Sequence, residues 1–152
     1  MNSHLSIVCR AAAREDIPAL LRLYAQPELD DGKVLSLPEA ERCFERIASY
    51  PDYGVHVALC EDRIVGAFAL LIMDNLAHMG AHSAVVEDVA VDPEWQGRGI
   101  GTRMMKYAMQ LCSGRGCYKM TLSSNLKRTK AHAFYESLGF ERHGYSYRVS
   151  ID

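Results

Sequence analysis

The sequence predicts an α/β fold, a mixed sheet with helices on its faces, in a single domain covering residues 1–152. Two observations lead there. Apolar runs of strand length alternate with segments of helical period along the chain, and the run at 83–92 passes through a glycine-rich turn into a long amphipathic helix and a further short strand. A strand–helix–strand unit of that size is parallel, whereas strands joined by tight turns are antiparallel, so the sheet is mixed. At 152 residues with 49% hydrophobic side chains, the chain is long enough for one buried core, and it has no linker, repeat or low-complexity tract.

The elements follow in order. Residues 5–11 read as a strand, and residues 15–25 carry Ile17, Leu20, Leu21 and Tyr24 at helical spacing, with Pro18 in the first turn. The segment 26–37 holds Pro27, Gly32 and the acids Glu28, Asp30 and Asp31, and its Ser36 with Glu39 three residues on resembles a capping box for a second helix reaching about Tyr50. Residues 54–60 and 64–73 predict two antiparallel strands across the polar Glu61-Asp62-Arg63. A loop over 75–82 precedes the strand at 83–92, which Pro93 ends, and the helix over 99–112 is broken by Ser113-Gly114-Arg115-Gly116. A short strand at 118–122, a helix at 130–138 closed by Gly139, and a terminal strand or hairpin at 140–149 complete the chain.

Composition excludes several classes of function. A formal charge of −2 carries no basic footprint for nucleic acid. No stretch approaches the ~20 apolar residues of a membrane span, and the N-terminal residues lack a signal-peptide core, so a cytoplasmic protein with no membrane partner is expected. Cys9, Cys43, Cys60, Cys112 and Cys117 form an odd set without C-x-x-C spacing, which argues for reduced thiols rather than disulfides or a zinc site. His78 and His82 are four apart, but Gly80 between them and the loop composition argue against a helix aligning them on a metal, so no metal is expected.

The most informative segment runs from Val89 through Asp92-Pro93-Glu94-Trp95 to Gln96-Gly97-Arg98-Gly99-Ile100-Gly101-Thr102. Glycines let backbone N–H groups approach an anion without a Cβ in the way, and the following helix adds unpaired donors and the positive end of its dipole. Arg98 and Arg103 add charge. A Walker loop would end Gly-Lys-Ser/Thr where this one ends Gly101-Thr102-Arg103, and a dinucleotide fingerprint would have its third glycine where Thr102 stands. An ordinary turn would not need three alternating glycines, which cost backbone entropy.

The run Gln96-Gly97-Arg98-Gly99-Ile100-Gly101 matches the Q/R-x-x-G-x-G/A signature of the GNAT superfamily of N-acetyltransferases, which the chain resembles over nearly its whole length. The strand Val86-Glu87-Asp88-Val89-Ala90-Val91, Asn125, and Ala133-Phe134-Tyr135-Glu136-Ser137-Leu138-Gly139-Phe140 extend the resemblance. It implies a V-shaped sheet whose middle strands diverge around acetyl-CoA as co-substrate. It implies that Val89, Ala90 and Val91 pair with the pantetheine arm, that Gln96 to Thr102 cradle the pyrophosphate, and that Asn125, His132 and Tyr135 contact the coenzyme. The basic run at 127–130 falls where the family holds the 3′-phosphate region.

Attack of a neutral amine on a thioester, directly in a ternary complex, requires a proton donor for the departing thiolate and a route for the ammonium proton. Tyr135 matches the family's donor, and an unperturbed phenol, with a pKa of about 10, is protonated at neutral pH. Glu87 is the leading candidate base, with a histidine or a water chain as alternatives. Strict alternation puts Glu87 and Asp88 on opposite faces unless a bulge intervenes. For the acceptor the expected contacts are Glu28, Asp30, Asp31, His82 and Glu87, of which the loop acids Glu28, Asp30 and Asp31 favour a cationic amine. The segments around 122–128 and 131–135 also resemble members acting on aminoalkyl phosphonates and amino sugar phosphates. A small-molecule amine ranks first, a protein or peptide amine second, and a non-catalytic acyl-CoA-binding module is the alternative of another class. The resemblance also implies a homodimer, with residues 144–151 available to meet a partner.

Overall fold

The computed structural model describes residues 5–151. It divides into two compact units, residues Met1–Thr121 and Leu122–Asp152. The first is a five-stranded sheet in the order β1-β2-β3-β4-β5, with β1 Ile7–Ala11, β2 Tyr53–Cys60, β3 Arg63–Met73, β4 His82–Val91 and β5 Cys117–Thr121. β1 to β4 are antiparallel in succession and β5 is parallel to β4, so the expected mixed sheet is present. Helices α1 Ile17–Tyr24, α2 Leu37–Ser49 and α3 Ile100–Gly114 complete this unit.

Local chemistry accounts for the boundaries. Pro18 sits in the first turn of α1. Ser36 caps α2 through the Glu39 N–H, while the Glu39 carboxylate accepts from the Ser36 N–H at 3.0 Å, the capping box read from the sequence. Glu61 and Asp62 both have positive φ (48° and 64°), the conformation a two-residue hairpin turn requires when strands twist right-handedly. The helix α3 continues through Ser113 and Gly114, beyond the expected break, and the left-handed Gly116 (φ 70°) then turns the chain into β5.

β3 is buried on both faces from Val65 to Leu70, which explains its unbroken apolar run. On one face Ala67 packs with Val57, Ala90 and the α1 residues Leu20 and Leu23. On the other, Gly66 lies against Ile100 and Met104 of α3. A Cβ at Gly66 would meet Met104 Sδ at 3.0 Å, Ile100 Cγ2 at 3.1 Å and Ala90 O at 3.2 Å, so glycine sets the approach of helix to sheet.

In the second unit, α4 Thr129–Ser137 ends at the left-handed Gly139 (φ 96°), close to the expected bounds. The expected terminal strand or hairpin is absent from the described residues: 140–151 make no ladder. Tyr145, Tyr147, Val149 and Ile151 have the period-two pattern of a strand, yet each is at least 78% exposed. Alternation permits a strand but supplies neither the paired edge nor the apolar face that would hold it.

Gly66→Ala should destabilise the protein by about 1–3 kcal/mol, because overpacking between β3 and α3 cannot relax through a flexible side-chain end alone. Gly54→Ala, whose nearest neighbour to a new Cβ is at 3.9 Å, should be close to neutral, and chemical denaturation of the two variants checks the contrast.

Candidate active site

β4 carries two ladders of unequal length. Against β3 it pairs from Ser83 to Val91, whereas against β5 the pairing runs only from His82↔Cys117 to Val85↔Thr121. Beyond Val85 no strand of the described residues pairs with that edge. Asp92 N–H donates to Val65 O on β3 at 2.9 Å, so the carbonyl of Val91, one residue earlier, faces the edge away from β3.

A bulge interrupts β4 at the start of this open stretch. Ala67 faces Ala90 and Ala69 faces Glu87, so Asp88 and Val89 together oppose Phe68. Asp88 lies in the left-handed region (φ 53°), which an aspartate tolerates better than a bulky or β-branched side chain would. Strict alternation fails here, and the adjacent Glu87 and Asp88 are both exposed. Although the Asp88 residue is exposed overall, partial desolvation of its carboxyl by surrounding protein, then the charge of Asp30, raises that carboxyl above its ordinary value. Burial, followed by Asp88, raises the phenols of Tyr24 and Tyr53. The turn after α1 contributes to this arrangement, with Asp30 N–H donating to Tyr24 O at 3.1 Å and Gly32 N–H to Ala25 O at 2.8 Å. Of the three acids in that turn, Asp30 is thus the one felt at Asp88. Asp31 is exposed in the left-handed region (φ 47°), and Glu28 is exposed.

The loop after β4 starts with a short 3-10 turn, Pro93–Trp95, capped by the Asp92 carboxylate accepting from Glu94 N–H at 3.0 Å. Gly97 and Gly99 both have positive φ (76° and 82°), and a Cβ at either would meet nothing within 4 Å, so their requirement is conformational. Gly99 is the N-cap of α3 with no side-chain cap bond, which leaves the first N–H groups of Ile100, Gly101 and Thr102 without a side-chain acceptor. Arg98 stacks on Trp95 at 4.9 Å from the ring centroid. Arg103, counted as added charge from the sequence, donates instead to Ile7 O on β1 at 3.0 Å. Gln96 remains exposed, its amide 3.5 Å from Val91 O. An outward carbonyl, left-handed glycines and an uncapped helix suit a ligand bearing amide N–H groups at one end and phosphate at the other, as coenzyme A does.

His82 stands at the other end of β4 and is committed on both sides. Nδ1–H donates to Arg115 O at 2.6 Å and Nε2–H to Asp74 Oδ1 at 2.7 Å, two acceptors that suit an imidazolium. The Arg115 carbonyl foremost, then Asp74, raises its pKa. Arg115 also pairs with Asp52. His82 is an expected acceptor contact, and both of its ring nitrogens are engaged in holding the start of β4 to Asp74 and to the end of α3.

Within the second unit, Asn125 forms a turn in which its Oδ1 accepts from Lys127 N–H at 2.9 Å. His132 Nε2 bonds Asn125 O at 2.8 Å, so these two coenzyme candidates are joined locally. Tyr135 packs between Phe134 and Phe140, at 5.1 and 5.5 Å between centroids, and burial raises its phenol above the ordinary value. Ser124 Oγ is buried with no hydrogen-bond partner among the described residues. Two contributors escaped the sequence reading: the Asp88 bulge, foreseen only as a condition, and Gln26, whose amide donates to Val91 O at 3.2 Å. No local pattern announces a contact between residues so far apart in sequence.

Residues 17–140 match the sequence profile described as "Acetyltransferase (GNAT) family", and the chain belongs to that family. Fold and match together define its class, an acetyltransferase enzyme. The chain is similar to a glucosamine 6-phosphate N-acetyltransferase of Trypanosoma brucei brucei, at 35% identity over 89 residues that cover 59% of this chain and 58% of that protein. It is also similar to N-alpha-acetyltransferase 30 of Schizosaccharomyces pombe, 29% identical over 107 residues, 70% of this chain and 69% of that one. Among solved structures, a putative acetyltransferase from Agrobacterium tumefaciens str. C58 superposes with a TM-score of 0.89 at 30% identity, covering 95% of this chain and 99% of its own. Among the described residues, no helix is long and apolar enough to cross a membrane and no group of side chains has the makings of a metal site.

The His82 contacts give a pH prediction. A histidine whose folded pKa is raised stabilises fully below its unfolded value of about 6.5 and loses that contribution as pH rises through the folded pKa. The Tm difference between the wild-type protein and His82→Gln should therefore be largest near pH 6 and shrink above neutrality, measured by thermal melts across pH.

Proposed function

We propose that this protein transfers the acetyl group of acetyl-CoA to the primary amine of a small metabolite, by direct attack in a ternary complex. The observation that carries the reading is the end of β4, where an outward main-chain acceptor leads through left-handed glycines into an uncapped helix N-terminus. In this reading Val89 to Val91 pair with the pantetheine arm and Gln96 to Thr102 receive the pyrophosphate, with Asn125 and His132 as further coenzyme contacts. The two units act as one domain, a reading supported by a family match that spans residues of both. A homodimer and a cytoplasmic location belong to the same proposal and rest on resemblance and composition.

The acceptor amine arrives as an ammonium ion and must lose a proton before its nitrogen attacks the thioester carbonyl carbon. Glu87, exposed on the bulged stretch of β4, takes that proton directly or through water. The tetrahedral adduct then collapses, the carbon–sulfur bond breaks and the thiolate takes a proton from Tyr135, while the second proton of the nitrogen returns through water to the tyrosinate and Glu87 releases its proton to solvent, leaving a neutral acetamide and free coenzyme A. Burial suits Tyr135 to the donor role by keeping its phenol protonated at neutral pH. Asp30, with Glu28, Asp31 and Asp88, favours a cationic amine. The trypanosomal relative acts on an amino sugar phosphate, whose ammonium and phosphate ends are separate, so acids near the amine and basic groups elsewhere serve one molecule. The fission-yeast relative supports the second reading, a protein α-amine.

Incubating the protein with acetyl-CoA and glucosamine 6-phosphate, a polyamine, or a peptide with a free α-amine, while following thiol release, separates these. Turnover with a small amine is expected; thiol release with the peptide alone would favour the second reading, and none with any amine would leave a binding module.

For the coenzyme, Gly99→Val should weaken acetyl-CoA binding by tenfold or more while the protein stays folded. A β-branched residue resists the left-handed conformation, at a cost of about 1–2 kcal/mol, and shields the donors. Calorimetry reads it. For the chemistry, Tyr135→Phe should lower kcat and kcat/KM together by about 10²–10⁴ with acetyl-CoA affinity unchanged. Glu87→Gln should lose most rate at low pH and recover partly as rising pH supplies neutral amine.

A further inference from the structure

Gln26 lies just beyond α1 and does two things at once. Its main-chain carbonyl accepts the N–H groups of Leu29 at 3.0 Å and Asp31 at 3.2 Å, so it anchors the turn that carries Glu28, Asp30 and Asp31. Its side-chain amide reaches β4 and donates to Val91 O at 3.2 Å. Gln96 approaches the same oxygen only at 3.5 Å, the outer limit of a hydrogen bond, so Gln26 is the main partner of this carbonyl.

Val91 and Gln26 are both half-buried, and a carbonyl withdrawn from water without a donor is costly. Elsewhere in the sheet a neighbouring strand supplies the donor. At Val91 the ladder to β5 has already ended, and a side chain from a turn 65 residues away stands in for it. A glutamine amide offers the same N–H donor as a ligand's amide but is held by rotatable bonds, so it can withdraw without breaking secondary structure.

We propose that the Gln26 side chain is a placeholder at the Val91 carbonyl, satisfying it in the free protein and giving way when an amide N–H of the coenzyme's pantetheine arm pairs there. The inference rests on the coenzyme reading above. Competition of this kind raises the apparent dissociation constant of the coenzyme, because each binding event first breaks an internal hydrogen bond.

Gln26→Met keeps the length of the side chain and the backbone anchors of the turn but removes the donor. Calorimetry should find acetyl-CoA bound more tightly by about two- to tenfold, the worth of one net hydrogen bond. Adenosine 3′,5′-bisphosphate, which has the nucleotide end and no amide arm, should bind with unchanged affinity. Gln26→Asn, too short to reach Val91, should behave as Gln26→Met and guards against a folding defect in either variant, checked by Tm. Unchanged or weaker acetyl-CoA binding in folded variants, or an equal shift for both ligands, would overturn the placeholder role. Failure of the wild-type protein to bind acetyl-CoA would overturn the coenzyme reading itself, and this inference with it.

Discussion

The first unit is organised around the unequal pairing of β4. One edge of this strand is zipped to β3 along its length, while the other is paired to β5 only as far as Val85. Main-chain polar groups cannot be left buried without partners, so whatever borders the unpaired stretch must supply donors and acceptors or admit something that does. The outward Val91 carbonyl, its glutamine partner and the donor-rich loop that follows are answers to that one requirement. The bulge belongs to it as well. By inserting an extra residue where the β5 ladder has ended, it turns two successive carboxylates outward, which a regular strand cannot do.

The two ends of β4 are held by different chemistry. At the closed end, His82, Asp74, Arg115 and Asp52 form a charged cluster that ties the start of the strand to the exit of α3. At the open end, Gln26 and Gln96 amides approach Val91 O while Arg63 pairs with Asp92 and Glu94, and the α3 residue Arg103 is spent on β1 rather than on the loop. The closed end is thus fixed by charge-assisted contacts, and the Val91 carbonyl at the open end by a side-chain amide. Packing reinforces the division, because Gly66 brings α3 hard against β3 just where its N-terminus meets the loop.

The proposed function asks one small α/β unit to host a long, chemically mixed ligand. In the proposed function the strand edge meets amides, the helix N-terminus meets phosphate and the bulge presents carboxylates to the amine. Relatives with different acceptors, an amino sugar phosphate and a protein α-amine, are compatible with such a division of labour.

The sequence by itself determined the order of elements up to α4, the capping box of α2, the hairpin between β2 and β3, the parallel entry of β5 and the glycine turn into α3. All of these are local: period, turn chemistry and caps act over a few residues and are written in adjacent letters. Tertiary structure alone decided that the β4–β5 ladder stops at Val85, that Asp88 adopts a left-handed conformation, that His82 is claimed by Arg115 and Asp74, and that Gln26 completes Val91. It also decided against the terminal strand, whose alternating Tyr145, Tyr147, Val149 and Ile151 remain exposed. Each of these depends on a partner distant in sequence, and a strand edge, a bulge or a shared carbonyl has no signature until that partner is folded against it.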